Sequence, residues 1–195
     1  QRNGSWDDLA EVFEELHAAV ADTAVGDDLL FTLGEVFRDD AGDTDRALVY
    51  FERVMERYPK RDFVDDAEWA AARIYVGRQA WRRAVPLLER TAKRVDASWG
   101  VGTFNSPYAS QARFRLGMIH LTHLSDYERA LEHFRRYLED FPRNARADDS
   151  AWHIAQAYRL MEQKEDYREA LEYLVEEFPE SRYVERANEQ LRKIR

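Results

Sequence analysis

Slid against itself by 83 residues, the chain matches without a gap, Asp28–Tyr75 falling on Gln111–Tyr158. The coincidences include Phe31/Phe114, Leu33/Leu116, Gly34/Gly117, Arg46/Arg129, Ala47/Ala130, Phe51/Phe134, Pro59/Pro142, Trp69/Trp152 and Tyr75/Tyr158. A fixed internal offset means stacked copies of one supersecondary unit, each with an apolar face that only a neighbour can bury. Within the repeat, apolar residues recur at helical spacing and are broken by short turn signals, so the unit is a hairpin of two helices. Small residues at Gly117 and Ala130 let the two helices approach, Phe134 fills the space beside them, and Pro142 ends the second helix.

The spacing predicts one all-α domain over residues 1–195, made of four hairpins at 27–61, 65–98, 110–144 and 148–181. A helix over 5–22 precedes them, with Ser5 and Asp8 as a capping box, and a solvating helix over 183–194 closes them. The first helix has no partner before it, so it either caps the array or is the second half of a repeat lying upstream. An insertion over 96–108 is the one long connection. The turns of hairpins one and three read as one residue longer than usual. In hairpin four Ala170 lies only nine residues before Pro179, so either its second helix is a turn short or Tyr167 takes the alanine position. Pro86, inside the second helix of hairpin two, is expected to kink it.

The pattern Leu-Gly, then Ala-x3-Phe, then Pro, carried by Gly34, Ala47, Phe51 and Pro59 and again by Gly117, Ala130, Phe134 and Pro142, resembles the tetratricopeptide repeat. That resemblance, covering about Asp27 to Arg192, implies a right-handed α-α superhelix and non-catalytic binding of a partner protein or peptide. The run Asp-Tyr-x2-Ala-Leu-x2-Phe, followed by Phe-Pro and Ala-Asp-Asp, is most similar to bacterial envelope members. Among these are outer-membrane assembly lipoproteins and periplasmic proteins that work with the Tol-Pal system. It implies a periplasmic scaffold, with any lipid anchor outside this stretch; the same repeat also serves cytoplasmic assemblies.

Two surfaces are candidates for the partner. The first is a ladder of one aromatic per hairpin, Phe31, Trp69, Phe114 and Trp152, with Glu35, Arg73, Met118 and Gln156 a turn further along. In tetratricopeptide arrays the first helices that carry these positions line the concave wall, so the rings are either anchors in a groove or packing between repeats. The second is the insertion, where Trp99, Phe104 and Tyr108 either meet a partner or cover an apolar gap. Stacking of these three rings on a sugar gives a rival reading as a glycan-binding accessory subunit. Another rival is a structural segment of a longer array.

Other chemistries find little to stand on. Without cysteine there is neither a disulfide nor a thiolate site. A net charge of -9 argues against generic binding to phosphate backbones. No apolar run is long enough to span a membrane. His120, His123 and His133 are near one another in sequence but lack a completing ligand, so no metal or other cofactor is expected. The pairs Asp65-Asp66 and Asp148-Asp149 read as first-turn acids of helices, serving free amides and the dipole. No phosphate loop, nucleophile elbow or dinucleotide fingerprint is present, and the chain is expected not to be an enzyme.

Overall fold

The computed structural model describes residues 3–23, 25–94 and 107–194, and among them every regular element is helical. In chain order these are α1 (Asn3–Val20), α2 (Gly26–Asp39), α3 (Thr44–Arg57), α4 (Val64–Gly77), α5 (Trp81–Lys93) and α6 (Ala109–Ile119). A π-helical turn at His120–Leu124 extends α6, followed by α7 (Tyr127–Asp140), α8 (Ala147–Leu160), α9 (Lys164–Glu177) and α10 (Val184–Ile194). The hairpins are therefore α2/α3, α4/α5, α6/α7 and α8/α9. They fall into two compact units, Gln1–Thr91 and Ala92–Arg195, and each is described in its own right.

Within a hairpin the two helices touch through a glycine. A Cβ placed on Gly34 would lie 2.6 Å from Phe51 Cε1, and one on Gly117 would lie 2.6 Å from Phe134 Cε1. Both rings are completely buried, so neither can swing aside. The other two hairpins answer the same constraint differently. Ala72 and Ala155 take the glycine's place, and the residues in register with the phenylalanines are Leu88 and Leu171, all four completely buried. A larger residue on one helix is thus matched by a smaller one on the other, which keeps the packing density of the interior.

The turns alternate as well. In hairpins two and four the first helix ends in a left-handed residue, Gln79 (φ 55°) or Glu162 (φ 59°). The next amide, Ala80 or Gln163, donates to Tyr75 or Tyr158 at 2.9 and 3.0 Å, which is the Schellman closure. In hairpins one and three the extra residue is absorbed in a wider closure. Asp43 N–H donates to the Phe37 carbonyl at 2.7 Å, and Asp126 N–H to the His120 carbonyl at 3.0 Å. Gly42 (φ 69°) and Ser125 (φ 52°) supply the left-handed step. The aspartates then cap the second helices, accepting from Arg46 N–H at 3.0 Å and Arg129 N–H at 3.2 Å.

Two expectations are refined. Helix α1 begins at Asn3, two residues ahead of the expected Ser5 cap. Helix α9 is as long as α3 and α7, so hairpin four is not a turn short. Tyr167 occupies the alanine position, and Ala170 lies three residues beyond it. Helix α5 continues through Pro86, beyond which Thr91 Oγ1 donates back to the Leu87 carbonyl at 3.1 Å.

Helix α1 docks through polar contacts. Tyr58 OH donates to the Ala21 carbonyl at 2.8 Å and lies 2.9 Å from His17 Nε2. With its one proton committed, the tyrosine oxygen accepts from the Nε2–H tautomer. Gly26 lies directly beneath, since a Cβ there would come within 2.5 Å of the same hydroxyl. Arg53 pairs with Glu14 through both guanidinium nitrogens, and Arg46 reaches Asp7. Val12 and Leu16, one turn apart, stay about half exposed.

The interlock predicts coupling. Gly117→Ala and Phe134→Leu should each destabilise the chain, by about 1–3 kcal/mol. The double variant, which recreates the alanine–leucine pair of the other hairpins, should lose less than the sum of the two. Thermal or urea melts of all four proteins measure this; strict additivity would contradict a shared contact.

Candidate functional site

In the first unit, Phe31 on α2 is 8% exposed and Trp69 on α4 is 6% exposed. The Phe31 ring stacks on Phe63, which leads into α4, at 5.1 Å, and tilts against Phe51 at 5.6 Å. Outside these rings the surface is charged. Arg38 donates to Asp39 through Nε at 2.7 Å and to Glu35 at 3.2 Å. The Arg38 hydrogen bond, with the Arg38 and Arg73 charges, holds the Asp39 carboxyl below its ordinary pKa. Glu35 is half-exposed and Arg73 exposed, so the first-helix face here presents a net of opposite charges over buried aromatics.

In the second unit, Phe114 on α6 and Trp152 on α8 are equally buried. Phe114 meets Phe134, Tyr137 and His153 edge-on at 5.7, 6.0 and 5.9 Å, and the Arg146 guanidinium lies 4.7 Å above it. Arg146 stands in the register of Phe63, so a cation here takes the place of a stacked ring. Trp152 lies flat on Tyr183 at 4.9 Å, with Arg186 over it at 5.1 Å. Met118 and Gln156 are half-buried, and Gln156 accepts from Arg159 Nε at 3.1 Å. The four rings of the ladder thus sit inside the repeats, while Glu35, Arg73, Met118 and Gln156 reach the surface.

The aspartate pairs occupy the first turns of α4 and α8. In α8 they also reach the turn that leads into α10. Ser181 Oγ donates to Asp148 at 2.7 Å, and Asp149 Oδ1 accepts from Arg182 at 2.6 Å and from Tyr183 OH at 2.8 Å. With the Trp152–Tyr183 stack this forms a latch that holds α10. Sequence reasoning missed it, although Ser-Arg-Tyr directly after Pro179-Glu180 is a polar run poised opposite the acids. Of the insertion residues, Trp99 and Phe104 lie outside the described residues. Tyr108 is half-buried and immediately precedes α6.

The histidines group by packing. His120 is 1% exposed, its Nδ1 lies 3.5 Å from Asp126 Oδ2, and its ring stacks on His133 at 5.4 Å. Burial, with the neighbouring His120 and arginine charges, brings the His133 pKa down to about 4. His123 is exposed on the π turn. Among the described residues no three histidine or acidic side chains are arranged to hold a metal ion, and no helix is long and apolar enough to cross a membrane.

Comparison with known proteins places this geometry. Family models described as tetratricopeptide repeat match residues 28–61, 70–148 and 149–181. Among solved structures, MamA of AMB-1 is 25% identical over 94% of this chain and 88% of its own, with a TM-score of 0.59. YrrB, described as a tetratricopeptide protein with an unusual peptide-binding site, is 14% identical over 86% of this chain and 75% of its own, with a TM-score of 0.56. MamA from Desulfovibrio magneticus RS-1 is 16% identical over 90% and 93%, with a TM-score of 0.52. The last two likenesses show the fold. A search of curated proteins returns no match.

Two outcomes follow from the site. Trp152→Ala should lower stability by about 3–5 kcal/mol, whereas Arg73→Ala and Gln156→Ala should change it by less than about 0.5 kcal/mol; chemical melts compare them. Because the folded-state pKa of His133 lies below its unfolded value, its contribution is fully present above pH ~6.5 and is lost as pH falls towards the folded pKa. Relative to pH 8 the loss at pH 5 should be about 2 kcal/mol, and His133→Phe should flatten that slope in melts across pH.

Proposed function

Since this chain belongs to the tetratricopeptide repeat family, we propose that it is a non-catalytic scaffold holding a partner protein or peptide against its first helices. These are α2 and α4 in one unit and α6 and α8 in the other. The carrying observation is the division of labour on them. The buried aromatics fix the backbone, and at one register position per repeat Glu35, Arg73 and Gln156 reach solvent, while Met118 at the fourth is half-buried against the core. Within each unit such a pair of positions reads an extended or helical segment through ion pairs and hydrogen bonds more than deep apolar pockets. The acidic balance of the chain favours protein partners over nucleic acid.

The periplasmic setting rests on the motif resemblance alone and stands as part of this proposal. A second reading, a segment within a longer array, draws on α1. That helix occupies the place of a second helix against α2 and α3 and keeps Val12 and Leu16 about half exposed. A preceding repeat would cover such a pair.

Photocrosslinking tests the main reading. A benzophenone amino acid at position 73 or 156, installed in the native host, should capture one and the same protein. The same group at Glu56 or Glu172, on the second helices, should not. Capture of identical proteins from all four positions would contradict a first-helix site. Fractionating the host before capture reports the compartment.

A further inference from the structure

A second surface lies on the opposite side of the first helices. On α8, Ile154 and Tyr158 point about 200° and 240° round the helix from Trp152, away from the ladder. There they floor a cavity of about 370 Å³ between α7 and α9. Ala151, Ala170 and Leu138 complete its apolar lining, and Tyr173, 44% exposed, stands at its edge. Its rim carries Glu139, Asp166 and Glu169 against the single Arg135, which is already engaged by the Tyr158 hydroxyl. Helix α9 as a whole bears six acidic and two basic residues.

The repeat supplies its own comparison. In the first unit, the positions in register with this groove are filled from within. Arg90, in register with Tyr173, lies across the floor with Nε 3.1 Å from Glu68 and Nη2 3.3 Å from Met55 Sδ. Arg83, in register with Asp166, covers Tyr75 at 5.5 Å and donates to its hydroxyl at 3.4 Å. The second unit has tyrosine and aspartate where the first has these two arginines. Its groove is left open, apolar below and acidic above.

We propose that this groove between α7 and α9 docks a basic amphipathic segment of a partner protein. An apolar side chain enters between Ile154, Tyr158 and Tyr173, and lysine or arginine heads meet Glu139, Asp166 and Glu169. The segment supplies from outside what Arg83 and Arg90 supply within the first unit. This surface is separate from the first-helix face, so the two succeed or fail independently.

The test uses the full chain and a short labelled leucine–lysine peptide with its leucines on one helical face, read by fluorescence anisotropy. A scrambled isomer of equal charge is the control. The ordered peptide should bind more tightly than the scrambled one, and salt should weaken it. The double variant Tyr173→Arg, Asp166→Arg, which installs the first unit's residues, should reduce affinity by about tenfold or more, as should Glu169→Lys. Equal binding of ordered and scrambled peptides, no binding by the wild type, or undiminished binding by variants shown folded by circular dichroism would each overturn the proposal.

Discussion

The close approach of Gly34 to Phe51 and of Gly117 to Phe134 is the contact from which the rest follows. Once two helices of a hairpin are held that near, the lateral spacing between repeats is fixed by what fills the seam. That seam holds Phe31 on Phe63 in one unit and Phe114 under Arg146 in the other. A glycine within a helix is intrinsically unfavourable by roughly 1 kcal/mol relative to alanine. It persists here because the facing ring, fully buried, returns more than that in apolar burial. Where alanine replaces glycine, leucine replaces phenylalanine, and the turn shortens by one residue. Hairpins of two kinds therefore alternate, and the sequence period is two hairpins rather than one.

Much of this was legible beforehand because it is written in local spacing. The offset of 83 residues, the leucine–glycine and alanine–phenylalanine pairs and the closing prolines specify helices, their partners and their ends. The longer turns of hairpins one and three were visible as one extra residue between the glycine and the alanine. What could not be read was how that residue is absorbed, since the wider backbone closure leaves no side-chain signature. Tyr167 misleads for another reason. A bulky ring at a small-residue position looks like an error of register, yet Tyr167 is buried at that position and α9 keeps its full length.

The candidate site was legible in position but not in exposure. Counting three residues back from each glycine or its equivalent locates Phe31, Trp69, Phe114 and Trp152 in the first helices. Helical periodicity alone does not say whether a ring points at a neighbour or a groove, because in a repeat array the two directions differ by only part of a turn. The structure turns the rings inward and leaves charged and polar groups outside. The latch of Asp148 and Asp149 on Ser181, Arg182 and Tyr183 was invisible for a related reason. It joins residues 33 or 34 apart, and its acids serve the helix terminus equally well without it.

The second unit has two faces, one with the half-buried Met118 and Gln156 over a rigid aromatic backing, the other carrying the acidic groove. Met118 belongs to the first and Tyr173 to the second, and both side chains react readily with hydroxyl radicals. Radical footprinting of the chain alone and in complex with the protein captured through position 73 therefore addresses the central claim most directly. The account predicts that Met118 becomes protected while Tyr173 reacts as before. Protection of Tyr173 with Met118 unchanged would contradict it.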